Sequence, residues 1–405
     1  MVQTESAQHE SQCTGYLHEI EANAFSKGPR AMIGVAIRVD ASTEIGTGHL
    51  MRCVTLANEL AESGASVTFV ARTMANQLAD MVRANGHAIE LLLASRSEDA
   101  GNIAGEVRIP HAHWLPVHWS VDARDTAALL RRRGPVDWLI VDHYALDNQW
   151  ESWLRPYASR LLAIDDLADR RHDCDFLLDQ NLVEGLEERY DALVPSSCKT
   201  LLGPAHALLR PQFVAARSHL RERDGEIRRI FVFMGGGDPM NETGKVLSAL
   251  ADLEDCDLAV DVVMGGACPH VDLIRRQAAS MQRVCVHHQT TDMASLMAIA
   301  DLAVGSGGTA SWERCCLGLP TVAVAIADNQ FGALQQLDRV GAIRYLGEFN
   351  EVVSEDYLSA LQHLLADRRQ VQTMSAAAMR IVDGKGCQRV RAALMESERA
   401  LNGAV

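Results

Sequence analysis

Strand-length apolar runs alternate with segments of helical period along this chain, and the alternation begins afresh after residue 211. A strand, a helix and a further strand in succession build a parallel sheet with helices on its faces, because the crossover is too long for a hairpin. In the first half, segments 33–37, 66–71, 90–93, 138–141, 160–164 and 176–178 read as strands. Segments 50–63, 75–85, 121–133 and 150–155 read as helices between them. The second half repeats the pattern, with strands at 230–234, 258–264, 284–287 and 302–304 and helices at 242–253 and 293–298. Helices at about 355–366 and 370–382 finish the second half or lean back on the first.

At 405 residues the chain exceeds one ordinary core. The predicted class is therefore α/β, with two Rossmann-like domains facing a cleft. Boundaries fall at 1–31 (a polar extension, either disordered or an artefact of start-codon choice), 32–205, 206–228 (linker), 229–385 and 386–405 (tail).

Composition narrows the partners. A net charge of −15 counts against nucleic acid, whose phosphates need a basic surface. It leaves room for an anionic small ligand held by backbone amides. No apolar run of membrane length and no secretory leader is read, so a cytoplasmic chain without membrane contact is expected, a monomer by preference. Ten cysteines show no CxxC spacing and read as reduced thiols. His111, His113 and His118 lie in an irregular segment where no carboxylate or cysteine completes a site, and the His287-His288 pair is similarly unsupported, so neither metal nor cofactor is expected.

Two loops carry the chemistry. Arg38-Val39-Asp40 ends the first strand, and Gly46-Thr47-Gly48-His49 opens the first helix. A glycine loop between strand and helix holds a phosphate or a reacting group at the helix N-terminus. An imidazole can take a proton at physiological pH, which makes His49 the candidate base, with Asp40 as the nearby acid. In the second half, Gly305, Ser306, Gly307, Gly308 and Thr309 offer open amides to a diphosphate, and Glu313 can accept from ribose hydroxyls. The spacing Gly305-x-Gly307-x-x-Ala310 matches a dinucleotide fingerprint, but it lies late and no acidic residue ends a strand about 20 positions on, as that fingerprint needs. A plain glycine turn is the other reading.

Gly235-Gly236-Gly237-Asp238 also joins a strand to a helix, as a tight turn or a ligand loop; Pro239 and Val246 exclude a P-loop. Asp165-Asp166 reads either as an acid/base pair or as loop-forming caps.

Arg38-x-Asp40, Ile45-Gly46-x-Gly48-His49, Asp142-His143-Tyr144, Asp165-Asp166, Gly235-Gly236, Gly307 to Glu313 and Gly318-x-Pro320 occur in one order. Together they resemble the UDP-2,4-diacetamido-2,4,6-trideoxy-β-L-altropyranose hydrolases of pseudaminic acid biosynthesis, over about residues 32–345. The later half also looks like MurG-type glycosyltransferases. The resemblance implies a glycosyltransferase-B architecture and hydrolysis of a UDP-sugar, feeding nonulosonic acids of bacterial surface glycans. It implies His49, Tyr144 and Asn329 as catalytic. Arg38, Asp40, Gly48, Gly236, Ser306, Gly307, Gly308, Thr309 and Glu313 are the expected substrate contacts. A UDP-sugar-dependent glycosyltransferase and a non-catalytic nucleotide-sugar binding protein are the alternatives.

Overall fold

In the computed structural model the alternation becomes two all-parallel sheets. The structure describes residues 32–42, 44–93, 109–253 and 257–402, so the extension 1–31 lies outside the described residues. The first sheet contains β1 (Gly34–Val39), β2 (Ser66–Ala71), β3 (Ala88–Leu91), β4 (Val136–Asp142), β5 (Ala158–Ile164), β6 (Phe176–Asp179) and β7 (Lys199–Leu202). Their order is β3-β2-β1-β4-β5-β6-β7. The second contains β8 (Arg229–Phe233), β9 (Ala259–Met264), β10 (Val284–His288), β11 (Leu302–Ser306), β12 (Thr321–Ala325) and β13 (Ile343–Glu348), ordered β10-β9-β8-β11-β12-β13.

Helices α1 (Gly48–Glu62), α2 (Asn76–Ala84), α3 (Trp119–Arg133) and α4 (Asn148–Leu154) belong to the first sheet, and α5 (Pro211–Arg217) follows it. Around the second lie α6 (Glu242–Ala251), α7 (Val271–Ala279), α8 (Met293–Ile299), α9 (Thr309–Cys316), α10 (Phe331–Arg339), α11 (Ser354–Ala366) and α12 (Arg368–Ile381). Helix α13 (Gly386–Asn402) closes the described chain.

The strands are apolar almost throughout because helices cover both sheet faces. On β8, Ile230 and Val232 join a cluster with Val246 and Val262, whereas Phe231 joins Val263, Met297 and Trp312 on the opposite face. The burial of Leu50, Cys53, Val54, Ala57 and Leu60 on α1 follows the helical spacing read from sequence.

Each sheet starts in its middle, winds outward and then returns to the other side. The strand order reverses between β1 and β4, and again between β8 and β11. A crevice opens at such a reversal, outside the carboxyl ends of the strands.

Several elements occupy stretches to which no strand or helix is assigned above. β7 is an edge strand, exposed at Lys199 and Thr200, and shows no apolar alternation. α7 buries only Ile274 and Ala278, a stripe too thin for a periodicity argument. Within the segment set down as a tail, α13 buries Cys387, Val390 and Leu394. It returns to α1, where Arg391 lies 3.3 Å from Glu59 and 3.2 Å from the Ser63 hydroxyl.

Candidate active site

The two strand-order reversals bring the two glycine loops together. β1 and β4 run in register with Val39 beside Asp142, so residues following Val39 and those ending β4 share one edge. A Cβ placed on Gly48 would lie 3.8 Å from the Thr309 hydroxyl, and one on Gly236 3.7 Å from the Thr47 hydroxyl. The start of α1 therefore meets both the start of α9 and the loop after β8.

His49 is the second residue of α1. Its Nδ1 lies 2.6 Å from Oδ1 of Asp142, the last residue of β4. The same nitrogen is 3.1 Å from Arg52, but Arg52 donates to both Asp142 oxygens, at 2.6 and 2.7 Å. A guanidinium has no lone pair to offer, so among the described residues the carboxylate is the only acceptor for an Nδ1 proton. In the neutral imidazole Nδ1 therefore carries the hydrogen and Nε2 the lone pair; Nε2 takes no hydrogen bond among the described residues.

Burial pushes the Asp142 carboxyl up, but Arg52 and His49 outweigh it and hold it well below the usual carboxylate range. Arg52 also reaches Asp166 at 3.0 Å, and Asp166 accepts the hydroxyl proton of Tyr144. Burial and the Asp166 charge push the Tyr144 phenol well above its ordinary range, so it stays protonated. The Tyr144 ring stands edge-on to the imidazole at 4.6 Å, and Trp114 stacks on Tyr144 at 5.0 Å while meeting His49 edge-on at 5.8 Å. His111 packs on both aromatic rings. The imidazole is thus walled by rings on one side and tethered by a carboxylate on the other.

Arg38 and Asp40 need correction as substrate contacts. Both are fully buried. Arg38 forms paired hydrogen bonds to Asp40 at 2.7 and 3.0 Å and to Asp122 at 3.1 and 2.8 Å. Asp40 also accepts from the amides of Arg72 and Thr73 and lies 3.2 Å from His143 Nε2. This buried network ties the carboxyl ends of β1, β2 and β4 together beneath the site and offers no open surface to a ligand. Nor is Asp40 the acid beside His49; that place belongs to Asp142.

In the second sheet, Ser306 ends β11 and is buried, while Gly308 takes φ +87°, a left-handed conformation that suits glycine alone, to turn into α9. The Gly307 amide donates to Gln330 Oε1 at 3.1 Å, which spends one of the amides expected for a phosphate. Glu313 accepts from Arg210 at 2.8 Å through Oε1, and Oε2 takes no hydrogen bond among the described residues. Burial raises the Glu313 carboxyl, and Arg210 opposes that rise. Asn329 is exposed on the turn Asp328–Gln330, beside the residue that grips Gly307. Asp238 accepts from the amides of Glu242 and Thr243 at 2.8 and 3.0 Å and fixes the Gly236 loop at the head of α6.

Asp142, Arg52, Trp114 and Arg210 enter the site without having been singled out for it in the sequence. A signal existed for Asp142 alone, which ends a strand in the motif Asp142-His143-Tyr144. Of the adjacent aspartates, Asp165 accepts from the Ala168 amide at 2.9 Å and from Arg170 at 2.7 Å as a loop former, while Asp166 joins the Tyr144 network.

MurG of Acinetobacter baumannii superposes with a TM-score of 0.60 at 14% identity, covering 90% of this chain and 99% of that one. The fold is glycosyltransferase-B. Arabidopsis thaliana UGT89C1, solved with UDP, shares it with a TM-score of 0.62 at 13% identity, covering 89% and 99%. In sequence, the spore coat polysaccharide biosynthesis protein SpsG of Bacillus subtilis is 31% identical over 195 residues, 48% of this chain and 57% of SpsG. MJ1062, an uncharacterized protein of Methanocaldococcus jannaschii, is 25% identical over 297 residues, 71% of this chain and 54% of its own length. The chain thus spans little more than half the length of these two relatives. The UDP-2,4-diacetamido-2,4,6-trideoxy-β-L-altropyranose hydrolase of Campylobacter jejuni is 22% identical over 309 residues, 76% of this chain and 97% of that enzyme. No protein-family model matches the chain. Among the described residues, no helix is long and apolar enough to cross a membrane.

Proposed function

We propose that the protein is a nucleotide-sugar hydrolase that releases UDP from a UDP-linked 2,4-diacetamido-2,4,6-trideoxy sugar, in the biosynthesis of a nonulosonic acid such as pseudaminic acid. The observation that carries this reading is the 2.6 Å contact between His49 Nδ1 and the buried Asp142, at the edge where the second sheet's glycine loop approaches. The likeness to the Campylobacter hydrolase across nearly all of that enzyme supports the choice of substrate.

UDP is held on the second sheet, with its ribose hydroxyls on Glu313 Oε2 and its diphosphate beside Ser306, Gly308 and Thr309. The amides at the head of α9 stabilise the charge that develops on the departing phosphate. The sugar lies across the cleft against α1. His49 Nε2 takes a proton from water as the water oxygen bonds to the anomeric carbon. The bond from that carbon to the phosphate oxygen breaks, and its electron pair leaves with UDP. Attack opposite the leaving group inverts the anomeric centre. Asp142 steadies the imidazolium, and such general-base assistance is worth roughly 10²–10⁴ in rate. Tyr144 and Asn329 position water and sugar substituents.

Hydrolysis in ¹⁸O-water tests this reading. Label in the released sugar is expected; label in UDP overturns cleavage at the anomeric carbon. The MurG-like fold favours a second reading, transfer to a sugar hydroxyl by the same base. UDP release that requires an added acceptor would establish it. UDP binding without turnover, unchanged in His49→Ala, would mark a binding protein instead.

A further inference from the structure

We propose that Asp261, Cys285 and His287 form a binding site for a divalent transition-metal ion with the preferences of zinc, on the second sheet and apart from the cleft. Their donor atoms lie within 4.8 Å of one another. The sheet produces this grouping, not the local sequence. Asp261 and Cys285 are parallel partners in the register of β9 and β10. His287 follows Cys285 by two residues, so both project from the same face of β10.

Asp261 points away from the cluster formed by Val260, Val262 and Met264, toward the face of Phe231 and Val263. β10 is the edge strand, and there that face is open: Cys285 is exposed and His287 half-buried. His287 Nε2 already lies 2.8 Å from Asp261 Oδ1, and Arg229 pairs with the other carboxylate oxygen.

A tetrahedral ion with bonds of about 2.0 Å to nitrogen and oxygen and about 2.3 Å to sulfur separates the nitrogen and oxygen by about 3.3 Å and the sulfur from either by about 3.5 Å. The His287–Asp261 contact opens by about 0.5 Å to admit it, and the thiol closes by up to about 1.3 Å, within the reach of side-chain rotation. A thiolate and a carboxylate offset the two positive charges, with the imidazole as neutral third ligand and water in the fourth position. Arg229 stays on the remaining oxygen as an outer partner that fixes the carboxylate. Sulfur, nitrogen and oxygen donors together favour zinc or cobalt over magnesium or calcium. Bound there, the ion clips the edge strand β10 to β9.

The test uses full-length protein, stripped with a chelator and kept reduced, titrated with Zn²⁺ by calorimetry and with Co²⁺ by visible absorption. One equivalent should bind, with a thiolate-to-cobalt charge-transfer band and a higher melting midpoint in Zn²⁺. Cys285→Ser and His287→Ala should each weaken binding by about tenfold or more and abolish the rise in melting midpoint. Replacing the exposed neighbour, His288→Ala, should leave both intact. Absence of saturable binding to the wild type overturns the proposal. So does affinity that survives in Cys285→Ser, whose exposed side chain is not needed for folding.

Discussion

Asp142 takes four hydrogen bonds on its two oxygens, from His49, twice from Arg52, and from the Cys53 thiol at 3.4 Å. The carboxylate cannot swing away, and the imidazole held by it cannot turn over. Asp142→Asn keeps the shape but puts a donor where the Nδ1 hydrogen points, which favours the wrong tautomer. UDP-sugar turnover should then fall by roughly 10²–10⁴ in kcat with little change in KM. Asp40→Asn should behave differently. It leaves the buried Arg38 short of a counter-charge, so stability should fall by about 3–5 kcal/mol, read from the denaturant midpoint. Two strand-end aspartates thus have opposite duties, and the sequence alone favours the wrong one. Asp40 lies nine residues from His49 and Asp142 lies 93 away. Only the adjacency of β1 and β4 puts the distant one in reach. The glycine loop and His49 were legible because strand, loop and helix follow one another locally. Arg210 was not, since its pairing with Glu313 spans 103 residues.

The loops around α4 and β5 hold a buried histidine that makes the first sheet sensitive to pH. His172 Nδ1 lies 2.7 Å from Glu151 on α4, and Nε2 lies 3.7 Å from Asp165 after β5. Burial opposes its charge, but Glu151 and Asp165 outweigh burial and raise it from 6.5 to about 9. A raised histidine binds its proton more tightly in the folded chain. Its stabilisation is therefore full below pH 6.5 and is lost as pH rises through about 9. That loss amounts to ~3 kcal/mol. Denaturant midpoints measured across this range should fall for the wild type and flatten in His172→Gln. At this scale most of the architecture was legible, because covered parallel strands are continuous apolar runs. β3 sits at Ala88–Leu91, two residues before its expected place, because pairing with β2 sets Phe69 opposite Ile89 and leaves Leu93 outside the sheet. Edge strands and thinly buried helices, such as β7 and α7, are set by their neighbours and leave little trace in their own residues.

Over the described residues the chain passes between the two sheets twice. It leaves the first sheet after β7, builds the second, and returns through α13 to α1. Three buried side chains, Cys387, Val390 and Leu394, anchor that return. Removing residues 386–405 should lower the melting midpoint by on the order of 10 °C and expose apolar surface to a dye such as ANS, with differential scanning calorimetry as the check. The same return path sets an order in time. Chains emerge from the ribosome amino end first, and domains fold as they appear. The first sheet can form once β7 is out, but α1 waits for its cover until about 180 further residues have been made. Throughout that interval the nascent chain carries an uncovered helix face, and a helix made after the second sheet is the one that seals the first.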